Sequence, residues 1–300
     1  MRILDMRIVV TLFLAILMHL PVSVHAACSG SSCCSVSSGV TTVPIEDTCE
    51  IEPASYGITL YEKYLCTGLP TVPASGTAFA LDVGTKCFQT FDSATGSTVD
   101  MSSSSTGVNF DGTFTRPPNG VYVYGVMVIK NEFRIKADLE LNTSITGDDG
   151  GTGIYCVSTA NTGDEDDGNS LSCSASDGAT PGTFTSKLTT FSGSCGSFTG
   201  SASFTFTSSD VISAWLLNTD NELAESCTES AAKATLFGLQ TFATPVVITE
   251  LTSGFNMAFG VSSGSSFWQN GSGGNYSIGS GPFKAIITEA FLIKISESIS

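Results

Sequence analysis

Hydrophobic and polar side chains alternate along much of this chain with a period of two residues. Between positions 133 and 141, apolar residues at every second position are separated by charged ones, and Tyr56, Ile58 and Leu60 share one face of an earlier segment. Successive side chains of a β-strand point to opposite faces, so this pattern predicts half-buried strands with a polar outer face. The segments 197–209 and 253–263 have the same pattern.

Two further segments are apolar on both faces. Residues 121–129 read VYVYGVMVI, and residues 282–295 near the C-terminus have a similar composition. A strand without a polar face is buried on both sides, so these segments are predicted to be central strands. Turns rich in Gly, Pro, Asn and Asp separate the predicted strands, as at 116–120, 146–153, 178–182 and 269–275. The expected fold is all-β: an antiparallel β-sandwich, or a jelly-roll-like arrangement.

The N-terminal residues 1–26 have the features of a secretory signal peptide. Arg2 and Arg7 precede an apolar run at 8–20, and small residues precede Ala27. The run is shorter than the roughly 20 residues of a membrane-spanning helix. Asp5 is unusual in such a leader, so translation can begin at Met1 or at Met6. We expect a protein that is secreted or held at the cell surface, with no membrane span after signal removal.

Every cysteine lies after this cleavage point. An even number of cysteines in an exported chain indicates disulfides, and the lack of Cys-x-x-Cys spacing argues against a zinc ribbon or a thioredoxin-type site. The sequence favours pairs between near neighbours, while adjacent Cys33 and Cys34 should take separate partners. The predicted pairs are Cys66 with Cys87, Cys156 with Cys173 and Cys195 with Cys227, and Cys28, Cys33, Cys34 and Cys49 would tie the N-terminal segment.

The mature chain divides by composition into an arm and a body. Residues 27–48 are rich in Cys, Ser and Gly and contain few residues suited to a core, which predicts an extended, disulfide-tied arm rather than part of the sandwich. The body has two parts, 49–146 and 147–300, with a weak boundary at the Gly- and Asp-rich turn. Its length allows either one large β domain or two smaller ones.

The mature chain contains no histidine, because His19 and His25 both lie in the signal peptide. This removes the commonest general base and the commonest metal ligand, and with them Ser-His-Asp and Cys-His catalysis. Without residues 1–26, which include two Arg and one Asp, ten basic residues stand against 27 acidic ones. Such an acidic chain repels nucleic-acid phosphate and anionic lipid, and attracts cations or basic partners.

Two acidic loops are candidates for calcium binding, since Ca²⁺ prefers oxygen ligands. The second loop lies between Cys156 and Cys173, and it lacks both the residue order and the final Glu of an EF-hand. The alternative is a solvated turn, where Asp, Asn and Gly are good turn formers, or a surface for a basic partner. The candidate ligands are Asp148, Asp149, Asp164, Asp166 and Asp167.

An aromatic turn near the C-terminus is the candidate binding surface. Phe267, Trp268 and Tyr276 surround a flexible polar segment rich in Gly and Asn. Aromatic rings beside amides suit stacking on carbohydrate or a protein interface. The alternative is that Trp268 covers the end of the sandwich core.

Two catalytic possibilities are weaker. Ser262 matches G-x-S-x-G, but a Gly/Ser-rich segment follows where a helix is needed, and no histidine is present to act as base. Glycoside hydrolysis needs only two carboxylates, for which Glu140, Glu250 and Glu289 are candidates. We therefore expect a protein that is not an enzyme and that has no cofactor other than calcium.

The leading hypothesis is a secreted structural or surface-assembly protein, a subunit of an extracellular filament, coat or adhesive layer. The Cys-rich arm and the apolar segment 285–295 could each add a strand to a neighbouring subunit. Expected partners are copies of the same chain or other surface proteins. The alternatives are a carbohydrate-binding or adhesin module, with or without calcium, and a carboxylate-based glycosidase.

Overall fold

The computed structural model describes residues 34–43, 48–101, 109–160, 169–192, 194–205, 210–228, 235–252, 264–270 and 274–280. Its secondary structure is nearly all β, which confirms the predicted fold class. The strands in chain order are β1 (Val36–Ser37), β2 (Val40–Thr41), β3 (Thr48–Ile51), β4 (Ser55–Cys66), β5 (Cys87–Met101), β6 (Thr113–Phe114), β7 (Gly120–Lys130), β8 (Phe133–Lys136), β9 (Asp138–Gly147), β10 (Gly150–Ser158), β11 (Asn169–Ser174), β12 (Phe184–Ser186), β13 (Ser201–Thr205), β14 (Val211–Leu217), β15 (Thr235–Ile248), β16 (Ser265–Gln269) and β17 (Tyr276–Ser280).

The strands form two sheets. The first sheet has the order β1-β2-β9-β10-β11-β17-β16-β3. The second has the order β12-β8-β4-β7-β15-β14-β13, with β5 pairing with β4 and β6 pairing with β5. One hydrophobic cluster contains side chains from both sheets, among them Leu60 of β4 and Leu139 of β9. The two sheets therefore share a single core, as in a sandwich.

The alternating segment 133–141 links the two sheets. Phe133, Ile135, Ala137, Leu139 and Leu141 are all buried, as their alternation predicts. The segment leaves the second sheet at the end of β8 and enters the first at the start of β9. Ala137 lies between β8 and β9, where the chain passes from one sheet to the other. The Ser158 hydroxyl holds it there by accepting a hydrogen bond from the Ala137 N–H at 2.9 Å.

The doubly apolar segment 121–129 is confirmed as a central strand. It lies within β7, which pairs with β4 on one side and with β15 on the other. A second hydrophobic cluster, which includes Tyr64, Val126 and Phe237, lies apart from the shared core. The two other doubly apolar or alternating segments, 282–295 and 253–263, lie outside the described residues.

Four disulfides are present in the described residues, and they include all three of the predicted pairs. Cys66–Cys87 and Cys156–Cys173 each join residues directly opposite one another on neighbouring strands. Cys195–Cys227 links the short 3-10 helix Cys195–Ser197 to the segment between β14 and β15. Cys34–Cys49 ties the arm, and the separate partners expected for Cys33 and Cys34 are confirmed on the Cys34 side. Cys28 and Cys33 lie outside the described residues.

The described part of the arm, 34–43, is extended and disulfide-tied, as predicted. The expectation that it stays apart from the sandwich is wrong for this part, because β1 and β2 form a hairpin and β2 pairs with β9 in parallel. The Cys34 N–H also donates to the Glu50 carbonyl at 2.9 Å, next to its disulfide partner. Both sheets contain strands from both predicted parts of the body, 49–146 and 147–300.

Candidate functional site

The acidic turn and the aromatic turn, which are far apart in sequence, meet at one end of the first sheet. Gly147, the last residue of β9, bridges Tyr276 at the start of β17. The next residue, Asp148, donates its N–H to the Tyr276 carbonyl at 3.0 Å. Two candidate residues predicted on separate grounds, Asp148 and Trp268, therefore belong to one neighbourhood.

Asn270 is the centre of this neighbourhood. Its side-chain Nδ2 donates to both carboxylate oxygens of Asp148, at 2.9 and 2.8 Å, and to the Ser277 hydroxyl at 2.6 Å. Its Oδ1 accepts from the indole Nε1 of Trp268 at 2.9 Å. We call Asp148, Trp268, Asn270 and Ser277 the polar–aromatic cluster. It presents a carboxylate, an amide, a hydroxyl and an indole together.

The Trp268 ring has a fixed orientation. A Cβ atom added to Gly279 would lie 2.8 Å from the indole Cη2, so the ring rests against the backbone of β17. The hydrogen bond to Asn270 fixes the other edge of the ring. Trp268 is half-buried and keeps an exposed portion. A rigid, partly exposed indole next to amide and hydroxyl groups is suited to stacking on a flat polar ligand.

The other two aromatic candidates belong to the core. Phe267 is fully buried, Tyr276 is 9% exposed, and their ring centroids are 5.5 Å apart. Phe267 lies on the face of β16 opposite to Trp268, as its alternating position requires. Of the three aromatic residues, Trp268 is the one that a ligand can reach.

The acidic residues predicted to bind calcium do not all lie in the described part of the chain, and those that do differ in their surroundings. Asp148 is engaged with the Asn270 amide, while Asp149 is exposed. Asp164, Asp166 and Asp167 lie outside the described residues. Among the residues that the structure describes, there is no group of three or more His, Cys, Asp or Glu side chains that could hold a metal ion. Calcium binding by the acidic loops stays a prediction.

The catalytic candidates are also divided. Glu140 is exposed on β9 of the first sheet, and Glu250 is exposed just after β15 of the second. Glu289 and Ser262 lie outside the described residues.

An exposed apolar region lies at one end of the second sheet. Val121 of β7 and Val247 of β15 are directly opposite in register, and they are 51% and 47% exposed. Phe114 of β6, whose ring centroid is 4.9 Å from that of Phe91, and Leu251, just after β15, are 63% and 75% exposed. We call Phe114, Val121, Val247 and Leu251 the end patch. Together they are half of the eight large hydrophobic side chains that are exposed in the described residues, which marks this end as unusual.

Arg116 joins the two segments that carry the end patch. Its Nε donates to the Thr252 carbonyl at 3.2 Å, and its guanidinium also donates to the Thr249 carbonyl and to Asn119. The Tyr122 hydroxyl closes the same turn by donating to the Pro118 carbonyl at 2.7 Å. These bonds hold the turn that precedes β7 against the segment that follows β15.

Sequence reasoning missed Asn270 and Ser277, and it missed the end patch. Asn270 and Ser277 lie in the Gly- and Asn-rich turn that the sequence marked as flexible, so their composition indicated only a loop. In the end patch, Val121 lies in the segment 121–129 that was predicted to be a central strand, and the sequence does not show where a strand extends beyond its neighbour.

In the described residues the protein is nearly all β and disulfide-tied, and its two sheets share a hydrophobic core. Comparison with known protein families, curated proteins and solved structures finds no match to it. In the described residues no helix is long and apolar enough to cross a membrane. Its several disulfides are compatible with an extracellular protein.

Proposed function

We propose that the protein is a secreted, non-catalytic surface-assembly protein, a subunit of an extracellular filament, coat or adhesive layer. The observation that carries the proposal is the end patch, in which Val121 and Val247 lie directly opposite one another on paired strands and are 51% and 47% exposed. Contiguous exposed apolar patches larger than a few hundred Å² are rare on soluble monomers and mark protein contacts, and we propose that the end patch belongs to such a contact. The partner is a second copy of the chain or another surface protein.

The rest of the molecule supports this role. Four disulfides hold the arm, two strand pairs and two loops, so the fold can persist outside the cell. The outermost strands β1 and β13 each have an unpaired side in the described structure, and such strands can accept a strand from a neighbour. The segment 285–295 is the strand we propose for such an exchange.

Electron microscopy and light scattering of the oxidised, secreted protein test the assembly. We expect particles larger than a monomer, with a mass that rises with protein concentration. A strictly monomeric protein at high concentration would contradict the proposal.

A second candidate function is carbohydrate binding, with or without calcium, and the polar–aromatic cluster favours it. Trp268 supplies a stacking surface, and Asp148, Asn270 and Ser277 supply donors and acceptors for sugar hydroxyls. A glycan array with and without calcium tests this function. We expect a signal that Trp268→Ala removes, whereas no signal in either condition would exclude it. Glycoside hydrolysis is the remaining alternative, and chromogenic glycosides compared between the wild type and Glu289→Gln test it.

A further inference from the structure

The segment between β4 and β5 forms a disulfide-closed strap, which we define as residues 67–86. Cys66 and Cys87 close its base. Inside the strap, the Asp82 carboxylate accepts hydrogen bonds from the Thr71 N–H at 2.9 Å and the Thr71 hydroxyl at 3.0 Å. Lys86 Nζ lies 3.3 Å from the same carboxylate. These bonds hold the pKa of Asp82 below its usual value, chiefly through the Thr71 N–H, and they fix the loop against itself.

The strap is also fastened to the loop after β14. The Phe79 N–H donates to the Asn221 carbonyl at 2.8 Å, and Asn221 Nδ2 donates back to the Phe79 carbonyl at 2.8 Å. The Leu223 N–H donates to the Ala74 carbonyl at 3.2 Å. The strap is therefore a rigid element that lies across one face of the second sheet.

A cavity of about 170 Å³ lies between the strap and the sheet. Its aromatic walls are Tyr64, Phe79 and Phe237, and the ring centroids of Phe79 and Phe237 are 4.6 Å apart. Val83, which is 54% exposed, also lines the cavity. The volume resembles that of an engineered cavity of about 150 Å³ that holds benzene, so a group of about six non-hydrogen atoms fits.

One wall of the cavity carries negative charge. Glu62 lines the cavity and lies opposite Asp92 on the neighbouring strand. Burial raises the pKa of Tyr64, and the carboxylates of Glu62 and Asp92 raise it further. The ion pairs among the described residues are Lys86–Asp82, Lys130–Glu132 and Arg134–Asp100, and Glu62 belongs to none of them. The Tyr64 hydroxyl donates a hydrogen bond to the Glu62 carboxylate, which holds this negative charge at the aromatic wall of the cavity.

We propose that this cavity binds an organic cation, an alkylammonium group held between the aromatic rings of Tyr64 and Phe79 and the Glu62 carboxylate. Aromatic faces attract ammonium groups, most strongly where water is excluded, and a carboxylate in the same cavity adds charge pairing. The strongly acidic chain raises the local concentration of cations around it. The group can come from a free small molecule or from a lysine side chain. This site is independent of the end patch and of the proposed assembly.

Isothermal titration calorimetry of the oxidised protein tests the site with three probes. These are choline, its neutral isostere 3,3-dimethylbutan-1-ol, and Nα-acetyl-lysine amide. We expect at least one cation to bind at millimolar concentration or below, and the isostere to bind about tenfold more weakly or not at all. Tighter binding of choline identifies a free quaternary amine as the source, and tighter binding of the lysine derivative identifies a protein side chain.

Two variants and a control variant test whether the cation binds in this cavity. Glu62→Gln should weaken binding about tenfold, and Phe79→Leu should weaken it by a similar factor. Glu140→Gln removes an exposed carboxylate from the other sheet and should leave binding unchanged. Unfolding midpoints equal to that of the wild type show that the variants fold. Equal binding of choline and its isostere, no binding of either cation, or an unaltered affinity in Glu62→Gln would overturn the proposal.

Discussion

The indole Nε1 of Trp268 donates a hydrogen bond to Oδ1 of Asn270 at 2.9 Å, which sets the orientation of the Asn270 amide. With Oδ1 held by the indole, Nδ2 must point the other way, and there it meets both carboxylate oxygens of Asp148. One amide thus satisfies the indole donor and the carboxylate acceptor together. Asn is suited to this position because it carries both a donor and an acceptor.

Asn270→Asp should destabilise the fold at neutral pH. The new carboxylate would face Asp148 where an amide now donates at 2.8–2.9 Å, and the loss should be about 2 kcal/mol. Because the repulsion acts between two ionised carboxylates, the loss is present at pH 7 and becomes smaller in acid. Chemical denaturation at pH 7 and pH 4 measures this. The exposed control Asn275→Asp should show little change, and equal stability of Asn270→Asp and wild type at pH 7 would refute the account.

Gln240→Met should stabilise the protein. Gln240 is 3% exposed and lines a small apolar cavity in the second sheet with Met127 and Ile212. Within the described part of the chain, neither side-chain polar atom of Gln240 has a hydrogen-bond partner. Replacing the amide by an apolar side chain of similar length removes this desolvation penalty, which is about 1–3 kcal/mol.

The matched control for this prediction is Gln269→Met. Gln269 Nε2 donates to the Gly274 carbonyl at 3.0 Å, so its replacement removes a hydrogen bond. Thermal and urea unfolding should show a gain for Gln240→Met and a loss of about 1 kcal/mol or less for Gln269→Met. A loss of stability in both variants would show that the buried Gln240 amide does not destabilise the fold.

Lys63→Met should stabilise the protein in a pH-dependent manner. Lys63 is 3% exposed on β4, and burial lowers its pKa from 10.5 to about 8. Below pH 8 the lysine is charged in both the folded and unfolded states, so the fold bears the full penalty of about 3 kcal/mol. Between about pH 8 and 10.5 the folded state binds fewer protons than the unfolded state, so wild-type stability rises with pH and the penalty declines.

Urea unfolding of wild type and Lys63→Met across pH 7 to 10.5 measures this difference. The gain should be largest at pH 7 and should shrink as the pH rises. Lys130→Met provides the control, because the Lys130 side chain is 32% exposed and is paired with Glu132 at 2.8 Å. A gain for Lys63→Met that does not vary with pH would contradict the lowered pKa.

Replacing both Cys66 and Cys87 with alanine should weaken the strap. The disulfide closes a loop with a sequence separation of 21, and its loss should reduce the free energy of unfolding by about 3 kcal/mol in the loop-entropy model. Proteolysis should then cut first within 67–86. Replacement of Cys195 and Cys227 gives a comparison in which the strap stays closed. Unchanged protease resistance of the strap in the first variant would show that the bonds of Asp82 hold it without the disulfide.

The sequence predicted the strands well where one face is buried. Phe133, Ile135 and Ala137 alternate with charged residues, and this period fixes which side chains enter the core. Disulfides between near neighbours were also predictable, because Cys66–Cys87 and Cys156–Cys173 each join strands that are paired with each other. These features depend on residues that are close to one another in the sequence.

The candidate site was only partly predictable. Trp268 and Asp148 could each be named from composition, but their meeting depends on a parallel bridge between Gly147 and Tyr276 that no local pattern encodes. The cavity under the strap depends on contacts between Phe79 and Asn221, which are 142 positions apart. Long-range contacts of this kind arise from sheet order, and sheet order does not follow from periodicity.

The most direct test of the central claim is sedimentation velocity of the oxidised, secreted protein over a wide concentration range. The account predicts that association increases with concentration. It also predicts that Val121→Lys abolishes this association, because the substitution places a charge in the end patch. Leu69→Lys changes an equally exposed side chain on the strap and should leave association intact. A wild type that stays monomeric throughout, or a Val121→Lys variant that associates as the wild type does, would contradict the assembly role of the end patch.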